Sequence, residues 1–282
     1  MTILNFYETY YFCNILKNVI HDQFSYAVKL NDFYGDGNIL YMLNPFSKFS
    51  VFHSFIEFVI DNVYQEEFGK LDVDEWHASI KKYSDYPCID ENPRMLPIEH
   101  ALNYHEINFI TFETYLKSIG KDFFDGDDDD VYYYVNDFLL SEYSLLLEQT
   151  TVEVFHVLFQ NRALMMDFNH MISDALEREL EHGLPEEFAP QFTQSRKLKR
   201  KHIPKWVKRA VFHRDKGHCT LCNKDVSGVL SLESKENYDH MVPLADYGFN
   251  DVSNIQLLCK DCNQLEKRAG AAVTSNRYQS WF

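Results

Sequence analysis

The sequence predicts a mainly α-helical N-terminal domain followed by a small α+β domain held by a metal staple. Three observations carry this expectation. Apolar residues recur at helical spacing through most of residues 1–194, cysteines near the C-terminus pair into two CxxC knuckles, and the sign of the charge reverses between the two regions. A chain of 282 residues is long for one core and sufficient for two. With 45% hydrophobic and 16% aromatic residues it can bury real cores.

The clearest helix follows Asn44-Pro45. There Phe52, Phe55, Ile56, Val59, Ile60 and Val63 share one face, and Gly69 supplies a stop. Asp74 begins a second, with Trp76, Ile80 and Tyr83 on one side before Pro87. A third is expected from Pro97 to Gly120. The apolar run Tyr132–Phe159 suits helix or strand and is read as helix. A last one gathers Phe168, Met171, Ile172, Ala175, Leu176 and Leu180 and ends at His182-Gly183-Leu184-Pro185. These stripes read as helical core rather than as a ligand groove. The run Asp125-Gly-Asp-Asp-Asp-Asp130 reads as a solvated loop whose last aspartates favour a following helix N-terminus, in preference to a cation loop.

Charge marks the boundary. Residues 1–194 hold 11 Lys/Arg against 34 Asp/Glu, a net −23, whereas residues 195–282 hold 16 against 9, a net +7. An acidic chain ordinarily repels nucleic acid, but this segregation leaves a basic module able to hold phosphate. Pro190–Ser195 is polar, and Arg196-Lys197-Leu-Lys199-Arg200-Lys201 then switches the sign. The division expected is an acidic helical domain over 1–194, a basic linker over 195–203 and a second domain over 204–282. Such a basic run is either a solvated linker or a phosphate contact.

Four of the six cysteines lie in the last 64 residues, as Cys219-Thr-Leu-Cys222 and Cys259-Lys-Asp-Cys262. Chance would supply roughly 0.1 such pairs in a chain of this length and cysteine content. No secretion signal is read at the N-terminus and no window suits a membrane span, so a soluble cytoplasmic protein is expected and a metal knuckle outranks disulfides or a redox pair. Four thiolates close a tetrahedral zinc site with no open position, which makes that metal structural. Such a site contributes on the order of 10–16 kcal/mol in small zinc domains. Cys13 and Cys88 lack partners and read as small buried hydrophobes.

Pro204 suits a first helical turn, followed by Trp206, Val207, Ala210 and Val211 on an apolar face and by Lys205, Lys208, Arg209 and Arg214 elsewhere. Gly217 breaks that helix before the first knuckle. Val229–Tyr238 suits a strand, then come Asp239-His240, a loop with Gly248, Asn254, and Ile255-Gln-Leu-Leu258. The second knuckle opens a final helix with Asn263, Lys267 and Arg268 before Gly270. His213 and His218 flank the first knuckle and read as surface residues.

In order and spacing, Arg214-Asp-Lys-Gly217, Cys219-x2-Cys222, Asp239-His240-Met-Val-Pro243, Asn254-Ile-Gln-Leu-Leu-Cys259 and Cys262-Asn263 resemble the HNH endonuclease family in its zinc-binding form, over about residues 203–270. The resemblance implies a ββα-metal fold and hydrolysis of DNA phosphodiester bonds. It makes His240 the general base, Asn254 the residue that holds the loop and aims the imidazole, and Asp239 and Asn263 the ligands of one divalent cation. Two letters of the family name are replaced here, by Asp239 and by Asn263. Both are oxygen donors, which suits Mg2+ or Mn2+ better than nickel or zinc. Candidate contacts to double-stranded DNA are Arg196, Lys197, Lys199, Arg200, Lys201, Lys205, Lys208, Arg209, Lys267 and Arg268. Asn254 can equally be a turn former, and Lys267 and Arg268 can simply complement a helix C-terminus.

A single site implies nicking, with double-strand breaks requiring two chains or two encounters. The rival classes are a non-catalytic zinc-dependent nucleic-acid binder, disfavoured because Asp239, His240, Asn254 and Asn263 are all chemically competent, and an RNA-directed nuclease. Nucleases of this kind joined to an unfamiliar domain resemble effectors of bacterial anti-phage defence, with restriction and mobile-element homing as competing settings. The acidic domain suits a basic protein partner or intramolecular masking of the basic module.

Overall fold

The stripe Phe52, Phe55, Ile56, Val59 and Ile60 is buried along one side of a helix, Val51–Phe68, and Gly69 follows it. That helix belongs to a computed structural model that describes residues 9–83, 94–228, 238–265 and 271–277. In chain order the described helices are α1 (Thr9–His21), α2 (Ala27–Tyr34), α3 (Asn38–Tyr41), α4 (Val51–Phe68), α5 (Val73–Tyr83), α6 (Pro97–Tyr104), α7 (Phe112–Ser118), α8 (Asp128–Tyr133), α9 (Leu140–Leu158), α10 (Arg162–Glu181), α11 (Lys205–Arg214) and α12 (Lys260–Leu265). The strands are β1 (Tyr238–His240) and β2 (Ile255–Leu257). Among the described residues no helix is long and apolar enough to cross a membrane. Cys88, Lys267, Arg268 and most of the expected strand Val229–Tyr238 lie outside the described residues.

The helix expected over Pro97–Gly120 is two helices. Its middle leaves helical geometry at Glu106, whose φ is +55°, and α7 starts afresh where the Thr111 hydroxyl accepts the Thr114 amide at 3.3 Å. Glu99 makes the break stable. Its buried carboxylate accepts the amides of Leu96 at 2.7 Å and Phe112 at 2.6 Å and the Tyr134 hydroxyl at 3.0 Å, satisfying two helix N-termini at once. Burial still pushes that carboxyl above its ordinary range. The run Tyr132–Phe159 is helical as expected, but one wide turn over Tyr134–Phe138 interrupts it, with the Leu139 amide reaching back to the Tyr134 carbonyl at 2.9 Å. The aspartate run does cap a helix: the Asp127 carboxylate accepts the Asp130 amide at 2.9 Å, and Lys121 bridges Asp127 and Asp130.

The chain packs as two units, and packing divides it elsewhere than charge does. One unit takes the described residues of Met1–Asn14 with Ile56–Val154; the other takes Ile15–Phe55 with Phe155–Phe282. Residues 15–55 and 155–194 therefore pack in the same unit as the basic C-terminal segment. In the first unit Phe12 and Tyr143 meet Tyr64 edge-on at 5.4 and 6.1 Å, and Trp76 meets Phe123 at 5.3 Å. The second unit centres on Phe168, which lies 4.8 Å from Phe52 and 5.2 Å from Phe55. Aromatic pairs at such separations add to the free energy of simple burial.

In the second unit the basic run is pinned rather than left in solvent. The Lys199 amide bonds the Gln191 carbonyl at 2.9 Å, Asn250 receives the Lys201 amide at 3.3 Å and donates to the Lys199 carbonyl at 3.0 Å, and Leu198 and Ile203 are buried. The turn Val252–Asn254 is held from two directions. Asp251 accepts the Val51 amide at the start of α4 at 3.0 Å, and Asn169 of α10 donates to the Ser253 hydroxyl at 3.1 Å.

Beside that attachment, His53 stacks on Phe155 at 3.7 Å and its Nδ1 lies 2.7 Å from the Ser50 hydroxyl. Burial, and secondarily His156, hold the imidazole down at about 4 against an ordinary 6.5. Folding thus favours the neutral ring, so its contribution is complete above pH 6.5 and drains as pH falls toward 4. The thermal midpoint of the wild-type protein is expected to drop across that window more steeply than that of His53→Phe. Parallel midpoint curves for the two proteins would locate the titration elsewhere.

Candidate active site and metal centre

The first cysteine knuckle follows α11 because Gly217, at φ +66°, turns the chain, and Asn223, also left-handed at φ +63°, tightens it. The Asn223 amide bonds the Cys219 carbonyl at 3.0 Å, and the Thr220 amide bonds the Leu257 carbonyl at 2.9 Å, laying the knuckle against β2. The second knuckle leads from β2 into α12, where the Asn263 amide bonds the Cys259 carbonyl at 2.9 Å. Leu258 is buried with Cys219 and Cys259, and Leu221 and Val226 pack around them.

This folding brings all four sulfurs of Cys219, Cys222, Cys259 and Cys262 within 4.8 Å of one another, with Cys222 and Cys259 3.6 Å apart. Sulfurs at tetrahedral positions about 2.3 Å from a zinc ion stand about 3.8 Å apart, so the cluster fits zinc. The acidities point the same way. Burial pushes the Cys219 thiol up, but amide hydrogen bonds from Cys222, Cys259 and Leu221 outweigh it and bring the group to about 7. Burial and the neighbouring thiols hold Cys259 and Cys262 above their ordinary value. Cys219 ionises readily while Cys259 and Cys262 resist, which is the situation a dication relieves by displacing their protons. The four cysteines thus form a candidate structural zinc site.

Next to it, β1 and β2 pair antiparallel with Tyr238 opposite Leu257, Asp239 opposite Gln256 and His240 opposite Ile255. Alternation along so short a strand sends neighbours to opposite faces. His240 is 1% exposed, while the Asp239 side chain is 14% exposed and meets Arg200 at 3.0 Å. The loop between the strands closes on Asn254. Its Oδ1 accepts the Val242 amide at 2.8 Å, and its Nδ2 donates to the carbonyls of Val242 at 2.9 Å and Phe249 at 3.0 Å. Gly248 is required there, since a Cβ would sit 2.0 Å from the Val242 carbonyl oxygen. Asn254 therefore organises the loop just past His240 through backbone contacts.

Beneath the strands lies a network that the sequence reading leaves without a role. Asp215 is fully buried and accepts from Arg214 at 2.8 and 3.1 Å, from Arg162 of α10 at 3.5 Å and from the Leu257 amide at 2.9 Å. Arg214, expected on the polar side of α11, is inside and also donates to the Ile255 carbonyl at 2.6 Å. Arg162 in addition holds the Ser275 carbonyl at 2.9 Å, and Ser275 bonds Thr220 of the first knuckle. Gln256 of β2 accepts from Thr220 at 3.0 Å and donates to the Val273 carbonyl at 2.6 Å. The only signal in the sequence was Asp215 inside the Arg214–Gly217 motif; Arg162, 53 positions earlier, carries none.

Of the candidate phosphate contacts, Arg196, Lys199, Lys201, Lys205 and Arg209 are exposed. Lys197 lies over the Tyr247 ring at 3.6 Å, and Lys208 is only 6% exposed, its ammonium 5.5 Å from the Tyr238 ring centre. Arg200, Lys201, His202, Ile203, Lys208 and Tyr238 line a cleft of about 260 Å³.

Residues 219–268 match the family model described as HNH endonuclease. This C-terminal segment, with its paired strands, following helix and four clustered cysteines in the CxxC…CxxC form, is similar to the HNH endonuclease family. No curated protein and no solved structure matches the chain.

Two outcomes follow. The purified protein is expected to carry one zinc per chain by elemental analysis, and Cys222→Ser, at an exposed ligand, to lose it together with several degrees of thermal stability; full stability without zinc would remove the staple. Asp215→Ala, which strands two buried guanidiniums, is expected to cost about 3–5 kcal/mol in denaturant unfolding, and a loss under about 1 kcal/mol would show that the carboxylate is not what compensates them.

Proposed function

We propose that the protein is a metal-dependent endonuclease that hydrolyses DNA phosphodiester bonds. The observation that carries this is the placement of Asp239 and His240 on a strand whose loop Asn254 stitches and whose partner strand runs into the four-cysteine clamp. Catalytic geometry needs such over-determination, because small misplacements cost orders of magnitude in rate.

Asp239 and Asn263 are the residues we assign to a divalent cation, Mg2+ or Mn2+. The oxygen donor set fits a hard ion, and the Asp239 carboxylate already holds a positive group. When bound, such an ion neutralises charge that builds on the phosphate oxygens. His240 accepts a proton from water as that oxygen bonds to phosphorus; the P–O3′ bond then breaks and the 3′ oxygen takes a proton from solvent. Because His240 is buried, the imidazole must come within reach of water as the substrate seats. Asn254 keeps the adjacent backbone in register. The exposed cations Arg196, Lys199, Lys201, Lys205 and Arg209, with Arg200 and Lys208 lining the cleft and Lys197 over Tyr247, supply phosphate contacts, and Lys267 and Arg268 extend that set.

One site per chain makes nicking the elementary reaction. We extend the proposal to a cytoplasmic anti-phage or restriction role by analogy with nucleases joined to unfamiliar domains, with the net −23 of residues 1–194 available to a basic partner or for masking.

Supercoiled plasmid incubated with Mg2+, Mn2+ or chelator, beside structured RNA, tests this. Wild type is expected to nick the plasmid only with added metal. His240→Ala is expected to lose at least about 10²-fold in rate while keeping its zinc and its circular dichroism. Asp239→Asn, at a partly exposed position, is expected to do the same. Equal cutting by both variants would overturn the site, and cutting of RNA alone would change the substrate.

A further inference from the structure

Arg200 stands where the basic run and the active-site strand meet. Its Nη2 is 3.0 Å from Asp239 Oδ1. Its backbone cannot wander, because Asn250 grips the residues on either side, Lys199 and Lys201. Its side chain is 62% exposed against 14% for Asp239, so solvent rather than packed neighbours surrounds most of it. The same guanidinium borders the cleft that it shares with Lys201, His202, Ile203, Lys208 and Tyr238, a lining with three Lys/Arg side chains and no carboxylate. So the chain offers one guanidinium two destinations within a side chain's swing, a carboxylate on one side and an anion-seeking cleft on the other.

We infer that Arg200 is a positioning residue that yields Asp239 to the catalytic cation and takes a DNA backbone phosphate in exchange. This rests on the assignment of Asp239 as a metal ligand. The physical reason is charge. A guanidinium carries a fixed positive charge, so Arg200 leaves Asp239 only by taking another anion in exchange. A guanidinium and a divalent cation repel, and the oxygen that one occupies is closed to the other. A phosphate entering the cleft stabilises the swung-out guanidinium with the forked geometry that arginine suits. Metal and DNA therefore assist each other, and by linkage each raises the other's affinity by the same factor. A nuclease so built keeps its metal ligand covered until substrate is present.

A passive brace predicts the opposite sign. If Arg200 merely steadied Asp239, its removal would loosen the carboxylate and weaken metal binding. If it competes, removal tightens metal binding, by the few-fold that an ion pair with one exposed partner contributes to an equilibrium.

The test uses full-length, zinc-loaded protein and Mn2+, followed by titration calorimetry and by the paramagnetic resonance signal of the free ion, so that cleavage is not the readout. Four proteins are compared: wild type, Arg200→Ala, Arg200→Lys and Asp239→Asn. Without DNA, Arg200→Ala is expected to bind Mn2+ about two- to five-fold more tightly than wild type, with Arg200→Lys between them. In the His240→Ala background, which keeps DNA intact, a duplex oligonucleotide is expected to tighten Mn2+ binding when Arg200 is present and to change it little when Arg200 is alanine. Unchanged or weaker Mn2+ binding by Arg200→Ala, with Asp239→Asn failing to bind, overturns the exchange and leaves the metal assignment standing. Equal Mn2+ binding by Asp239→Asn and wild type overturns the metal assignment itself, and the exchange with it.

Discussion

A carboxylate wholly removed from water must be compensated where it lies, and in this protein that requirement falls on Asp215. Two guanidiniums and one strand amide converge on it, from α10, from the end of α11 and from β2. None of these donors could be lost cheaply, because each remaining charge would be left in a low-dielectric interior. The same arginines reach onward, Arg214 to the Ile255 carbonyl and Arg162 to Ser275. The strand that leads into the second knuckle, the helix preceding the first knuckle and the start of α10, where Arg162 lies 53 positions before Asp215, are thereby joined. The C-terminal segment is thus held through the charge network around Asp215, beside the clustered cysteines.

On that platform the strand that carries Asp239 and His240 needs little structure of its own. β1 and β2 are three residues each, too short to be stable alone. Their register is kept by Asn254, which spends its side-chain bonds on the backbone of the loop, and by Asp251 and Ser253, which fasten the following turn to α4 and α10. The burial of His240 and the pairing of Asp239 with Arg200 belong to the same economy. The Asp239 carboxylate, little exposed beside the buried His240, has the Arg200 guanidinium as a charged partner at 3.0 Å.

Charge and packing partition the molecule differently. The acidic residues before position 195 look from composition like a separate body, yet residues 15–55 and 155–194 share a unit with the basic segment. Solvated surface charge says little about which backbone segments pack together, since it lies on the outside whichever core is beneath. Among the contacts that join these stretches are polar bonds, Val51 with Asp251 and Asn169 with Ser253, between residues of no distinctive spacing.

What the sequence determined by itself was the part governed by short-range rules. Helical periodicity marked α4, α5 and α10, the CxxC spacing marked the thiol cluster, and the ordered series from Arg214 to Asn263 marked the nuclease module, because ligand geometry and turn chemistry constrain residues within a few positions of each other. Local rules failed at Pro97–Gly120, where a buried Glu99 and a Thr111 cap split an otherwise continuous helical pattern. Only the tertiary structure decided that Arg162 and Asp215 compensate each other, that the basic run is pinned against Asn250, and that Arg200 faces Asp239. Those depend on partners 53, 49 and 39 positions apart, joined by charge or by hydrogen bonds that act through space without leaving a period in the chain.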